Sequence, residues 1–220
     1  MIEFPYKIEQ CVWELTCPDS DRGSLAPPDD AAPAGDELTL RECLRVAEQL
    51  IEQGCRQVTL MGEEVFAFEG WARLARRLDD AGIRVNVITG ATQARPRQLA
   101  QLRRARLACV GVALDGLSAS HDRPRGRVGA FNDAVALIRG LMAQGVSVMA
   151  VTTLTQSNAD DLPGLYDLLV GLKVRAWQLR LASTAPGRGA PGARPLAAAQ
   201  MPRIARFASA TAEEGRIKIF

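Results

Sequence analysis

The chain has 220 residues, of which 47% are hydrophobic and 24% charged, a globular composition with a sizeable core that excludes a disordered chain. Its 27 basic and 25 acidic residues leave a net charge of +2, so the overall balance draws it neither to nucleic acid nor to an anionic membrane. Met1 to Pro5 has no basic start or apolar run, Gly145 interrupts the uncharged stretch 140–159, and the five cysteines form no C-x-x-C pair; the expectation is a cytoplasmic protein with reduced thiols and no membrane span.

The first strand is expected over Cys11–Thr16, followed by a segment, 17–36, rich in Pro, Gly, Ala and Asp that is expected to be a mobile loop. Thr39 and Glu42 form a capping box for a helix carrying Leu40, Leu44, Ala47 and Ile51 at helical spacing, closed by Gly54. The alternation then repeats. Strands are expected over Arg56–Met61, Arg84–Ile88, Cys109–Leu114, Val146–Thr153 and Val174–Ala182, with one more begun over Ile217–Phe220. Helices are expected over Glu69–Ala81, Pro96–Arg106, Phe131–Gln144, Ala159–Leu172 and Leu196–Glu214. Such βα alternation means right-handed crossovers and a parallel sheet. A complete eight-unit barrel takes ~250 residues, so the fold expected is α/β, a partial (β/α)6 TIM-like barrel forming a single domain over 1–220.

In parallel βα sheets ligands gather at the carboxyl ends of the strands. There the sequence places Trp13-Glu14-Leu15-Thr16, Gly62-Glu63-Glu64, Thr89-Gly90, Ala113-Leu114-Asp115-Gly116 and His121-Asp122-Arg123-Pro124-Arg125-Gly126. This ordered set, over roughly residues 8–220, resembles the radical S-adenosylmethionine (SAM) superfamily, in its peptide-modifying branch that often carries a C-terminal extra-cluster (SPASM) domain. The resemblance implies a C-x3-C-x2-C loop after the first strand for a [4Fe-4S] cluster. It also implies a SAM pocket at Gly62, Glu63, Glu64, Thr89, Gly90, Ala113, Asp115 and Arg188.

The departures from that pattern bear on chemistry. Aligned on Trp13–Thr16, the three cluster positions are Asp19, Gly23 and Ala26; starting instead from Cys17, the other two are Asp21 and Ser24. Neither register supplies the three thiolates such a cluster needs. Glu63 stands where the family has a glycine and Ala113 where it has a serine. No cofactor, no metal and no catalytic residue is therefore expected, and the pocket is vestigial. The expected function is a degenerate radical-SAM-like pseudoenzyme, a non-catalytic peptide-binding or partner subunit in the maturation of ribosomally made peptides (RiPP biosynthesis). Its partner would be a precursor peptide or an active radical SAM homologue. The C-terminal extra-cluster domain is expected to be absent, and dimerisation through an uncovered edge strand is a further expectation. The alternatives are an enzyme using the barrel for non-radical chemistry and a radical SAM enzyme whose cluster a partner completes.

Individual residues carry smaller expectations. His121, the one histidine, is placed in a loop with hydrogen bonds to Asp122 or Arg125. Asp115 either faces the vestigial pocket or caps the turn at Gly116. Glu63 and Glu64 should point opposite ways on an extended backbone. Arg188 between two glycines is a solvated loop residue or an anion contact. Arg95, Arg97, Arg103, Arg104 and Arg106 form a solvated face, and Cys43, Cys55 and Cys109 pack among apolar neighbours.

Overall fold

The computed structural model describes residues 7–16, 38–62, 64–91, 101–102, 104–182 and 194–220. The segment 17–36 expected to be mobile lies outside these residues, as does most of the helix expected over Pro96–Arg106, of which Gln101, Leu102 and Arg104 are helical.

Seven strands take sheet positions in chain order. They are β1 (Gln10–Thr16), β2 (Gln57–Gly62), β3 (Arg84–Thr89), β4 (Cys109–Ala113), β5 (Val148–Leu154), β6 (Ala176–Leu181) and β7 (Lys218–Ile219). The pairings β1–β2, β2–β3, β5–β6 and β6–β7 are parallel. The helices are α1 (Leu40–Glu52), α2 (Trp71–Asp80), α3 (Ser118–Asp122), α4 (Ala130–Ala143), α5 (Leu162–Gly171) and α6 (Met201–Glu214). The architecture is the parallel α/β fold that the alternation implies. No helix among the described residues is long and apolar enough to cross a membrane.

The chain divides into two compact units, 1–89 with 93–110 and 90–92 with 111–220. In the first, Thr39 and Glu42 form the expected box: the Glu42 carboxylate accepts from the Thr39 amide at 2.9 Å, and Thr39 Oγ1 accepts from the Glu42 amide at 3.4 Å. Thr39→Ala should lower the unfolding free energy by ~1 kcal/mol in urea titrations; a change under ~0.3 kcal/mol would mean solvent satisfies those amides equally well. Behind the cap, Cys43, Ala47 and Leu50 of α1 are buried, with Leu74, Ala75 and Leu78 of α2 and Val58, Leu60, Val85 and Val87 of the strands. Gly70 starts α2 at φ +99°, where a Cβ would stand 2.5 Å from Leu40 Cδ2, so only glycine lets the chain pass α1 this closely. On β1 Leu15 is buried while Val12 is 68% exposed, and its pairing with β2 shifts register between Glu14 and Thr16.

β4, of which residues 111–113 belong to the second unit, is an apolar run, and in that unit Ala134, Ile138 and Leu141 of α4 and Leu165 and Leu169 of α5 are buried. Tyr166 of α5 and Trp177 of β6 both meet the Phe207 ring of α6 edge-on, at 6.4 and 6.0 Å. Two helices start later than their apolar pattern predicts. Residues 159–161 and 198–200 are 3-10 turns, and α5 and α6 begin at Leu162 and Met201, each with proline in its first turn. Proline lacks an amide proton and suits the first helical turn, where that proton has no intrahelical acceptor. The five-residue α3 was not expected.

Candidate functional site

At the strand ends of the first unit, Gly62 is the last residue of β2 and Thr89 the buried last residue of β3. The Glu64 carboxylate accepts from Thr89 Oγ1 at 3.0 Å and from the Phe66 amide at 3.4 Å, capping the 3-10 turn Val65–Ala67. Glu64 thus ties two strand ends, a structural task. Its sequence neighbour Glu63 lies outside the described residues.

The second unit holds a denser polar cluster at the ends of β4, β5 and β6. β4 ends at Ala113, and the chain continues through Leu114, Asp115 and Gly116 into α3. A Cβ on Gly116 would sit 2.6 Å from Ser120 Cβ and 2.9 Å from Asp161 Oδ2, so a glycine lets the turn close. Asp161 Oδ2 accepts from the Leu117 amide at 2.9 Å. Asp115 does not cap Gly116, as one expectation had it. Its Oδ1 accepts from the Thr153 amide of β5 at 2.8 Å, and its Oδ2 accepts from Arg125 Nη2 at 2.8 Å. The pair is largely buried, with side-chain exposures of 21% and 18% for Asp115 and Arg125.

His121 departs from its expected loop: it is fully buried in α3. Its Nδ1 accepts from the Asp115 amide at 3.0 Å and lies 3.2 Å from Arg125 Nη1, which is only a donor. The ring proton therefore sits on Nε2, a buried nitrogen with no hydrogen-bond partner among the described residues. The Arg125 partner was expected; the Asp122 partner was not borne out, because Asp122 faces elsewhere. Its two carboxylate oxygens accept from the Gly129 and Phe131 amides, each at 2.7 Å, at the start of α4. Those amides hold Asp122 below its ordinary pKa. Burial, then the Arg125 guanidinium, push His121 down from 6.5 to about 4, against the opposing pull of Asp115 and Asp122. The imidazole thus holds the Asp115 amide and lies against the arginine that pairs with the Asp115 carboxylate, joining the turn after β4 to α3.

Three further residues were missed from sequence. Asn158 Nδ2 donates to the Asp115 and Thr153 carbonyls at 2.5 and 2.8 Å, and its Oδ1 accepts from the Thr155 amide at 2.9 Å. Trp177 Nε1 donates to Thr152 Oγ1 at 2.8 Å, and that hydroxyl donates to the Leu114 carbonyl at 2.7 Å, linking β6, β5 and the end of β4. The one signal for Asn158 was its polar turn, Gln156-Ser157-Asn158, directly after a strand.

The remaining expected residues scatter or fall outside. Of the vestigial-pocket set, Glu64 meets Thr89 in the first unit, Gly90 and Ala113 stand at strand ends, and Glu63 and Arg188 lie outside the described residues. Of the basic run, Arg106 pairs with Asp79 and Asp80, Arg104 is exposed, and Arg95, Arg97 and Arg103 are not described. Cys43 and Cys55 are buried as expected, whereas Cys109 and Cys11 are only partly covered.

These cysteines test the chain against a three-thiolate cluster. Cys11 is on β1, Cys43 on α1, Cys55 before β2 and Cys109 on β4, and Cys17 is the only cysteine in the stretch 17–37. Burial raises the thiol pKa of Cys11, Cys43 and Cys109, which disfavours the ligating thiolate. No group of three His, Cys, Asp or Glu able to hold a metal ion occurs among the described residues. Among the described residues, no donor set fits the cluster.

Comparison with known proteins places this scaffold. The chain is 27% identical over 130 residues to the sporulation killing factor maturation protein SkfB of Bacillus subtilis (strain 168), covering 59% of this chain and 32% of SkfB. It is 28% identical over 138 residues to the Fe-coproporphyrin III synthase of Methanosarcina barkeri (strain Fusaro / DSM 804), covering 63% and 35%. The chain thus spans about a third of the length of these curated relatives. Among solved structures, Streptococcus suis SuiB bound to its precursor peptide SuiA superposes with a TM-score of 0.73 at 15% identity, over 97% of this chain and 48% of that one. The radical SAM superfamily model matches residues 18–169, and the chain belongs to that superfamily.

Proposed function

We propose that this chain is a cytoplasmic radical-SAM-fold pseudoenzyme, a peptide-binding or partner subunit that assembles no [4Fe-4S] cluster and cleaves no SAM. The observation that carries the reading is the donor set. With Asp19, Gly23 and Ala26 at the cluster positions, the other four cysteines dispersed over β1, α1, the start of β2 and β4 cannot supply the missing thiolates. A cluster that leaves one iron open to SAM needs three of them. Support for a peptide as the partner comes from the relatives: SkfB is named for the maturation of a killing factor, and SuiB has been solved with its precursor peptide. Both are similar proteins, and this chain covers less than half of either. An active radical SAM homologue is the other partner of the proposal.

Anaerobic reconstitution with iron and sulfide tests it. The protein should retain only substoichiometric iron, show no thiolate-to-iron absorption, and yield no deoxyadenosine when reduced with SAM. Stoichiometric cluster incorporation with SAM cleavage would overturn the pseudoenzyme reading.

A further inference from the structure

Successive side chains of a strand alternate between its two faces. On β6, Trp177 packs against Phe207, so the face of 177, which 179 shares, is the one toward α6, while Leu181 at the strand end is 60% exposed. Gln178 and Arg180 therefore occupy the opposite face, beside Thr153, which pairs with Arg180 in the β5–β6 register. All three are half-buried and lie toward the carboxyl ends of their strands.

Arg180 Nε donates to Gln178 Oε1 at 3.1 Å, while its terminal nitrogens Nη1 and Nη2 have no partner among the described residues. Five other arginines, Arg77, Arg106, Arg125, Arg127 and Arg203, each hold a carboxylate. Arg180 holds none among the described residues, although burial already weighs against its charge. Asp115 is near enough to favour that charge, but its Oδ2 serves Arg125 and its Oδ1 serves the Thr153 amide. The sequence of 183–193, which follows β6, contains no acidic residue. A guanidinium withdrawn from water needs an anion, and its two free terminal nitrogens match the two oxygens of a carboxylate.

We propose that Arg180, braced by Gln178 on the face of β6 opposite α6, is a subsite for a peptide carboxylate, an Asp or Glu side chain of the bound peptide. This rests on the peptide-binding half of the proposed function and adds to it a preference for acidic residues. Gln178 orients the guanidinium through Nε, and the ligand takes the Nη edge in a bidentate pair.

The Nε–Hε resonance of Arg180, assigned by its loss in Arg180→Gln, reports the site directly in the as-purified full chain. The probes are the blocked tripeptides acetyl-Ala-Glu-Ala-amide and acetyl-Ala-Gln-Ala-amide, and SAM. The Glu peptide should shift this resonance with a Kd of ~1 mM, and the Gln peptide should bind at least ~5-fold more weakly. Arg180→Gln should erase the difference between the two peptides and Arg180→Lys should keep part of it, since lysine retains the charge without the fork. Equal binding of both peptides, or binding of neither, overturns the subsite even if Arg180→Gln fails to fold, because that comparison uses the unaltered protein. A resonance that SAM shifts and the Glu peptide does not overturns it as well. Cluster incorporation would remove the pseudoenzyme reading and leave the Glu-over-Gln preference standing, whereas equal binding would remove the subsite alone.

Discussion

Trp177→Ala should lower the unfolding free energy by ~3–5 kcal/mol, the largest single-residue effect expected outside the glycines. The indole is fully buried, and its loss opens a cavity against Phe207, which also meets Tyr166. It also strips Thr152 Oγ1 of the donor that joins β6 to β5. Trp177→Phe separates the two contributions: it keeps most of the apolar volume and forfeits the hydrogen bond, so a loss of ~1–2 kcal/mol is expected. Urea titration of the two variants against the parent measures both. A Trp177→Ala loss under ~1 kcal/mol would show that the three-ring cluster repacks and that the indole is not the anchor of this layer.

Acidification should destabilise the protein within a window set by His121. In the unfolded chain the imidazole takes up its proton near pH 6.5; in the folded protein it resists until about 4. Between those values the unfolded state binds more protons, so stability is full above pH 6.5 and falls as the pH drops toward 4. The loss is on the order of 3 kcal/mol. The cause is local: a proton on Nδ1 would face the Asp115 amide and the Arg125 guanidinium, donors both, inside a buried site. Asp115, Asp122 and Arg127 also act on this ring, but Asp122 is held below its ordinary value and titrates beneath the window. His121 is the chain's one histidine, so no second imidazole titrates there. His121→Asn, whose side-chain oxygen can replace Nδ1 as the acceptor, should flatten the profile between pH 6.5 and 4.5 at some cost in stability at neutral pH. A parent protein equally stable at pH 7 and pH 4.5 would contradict the buried neutral imidazole.

Local signals in the sequence proved the most readable. Thr39 with Glu42 marks a helix start because capping is completed within four residues, and Gly54 marks its end because the chain there needs a positive φ, +74°. The strand-end motifs identified the superfamily because parallel βα folds place their ligand residues in a fixed order along the chain. The polar cluster was less accessible, since its bonds join residues far apart: Trp177 to Thr152, Thr152 to Leu114, Asn158 to Asp115. His121 shows why adjacency misleads. The Asp122 carboxylate is taken by the Gly129 and Phe131 amides, so Arg125, in the turn after α3, is the residue that meets the imidazole.

The strand-end cluster from Leu114 to Trp177 is ordered by hydrogen bonds that the chain makes with itself. Its donors and acceptors are largely spent on one another. A substitution at Thr152 or Asn158 would therefore be felt at Leu114 and Asp115, residues far from them along the chain.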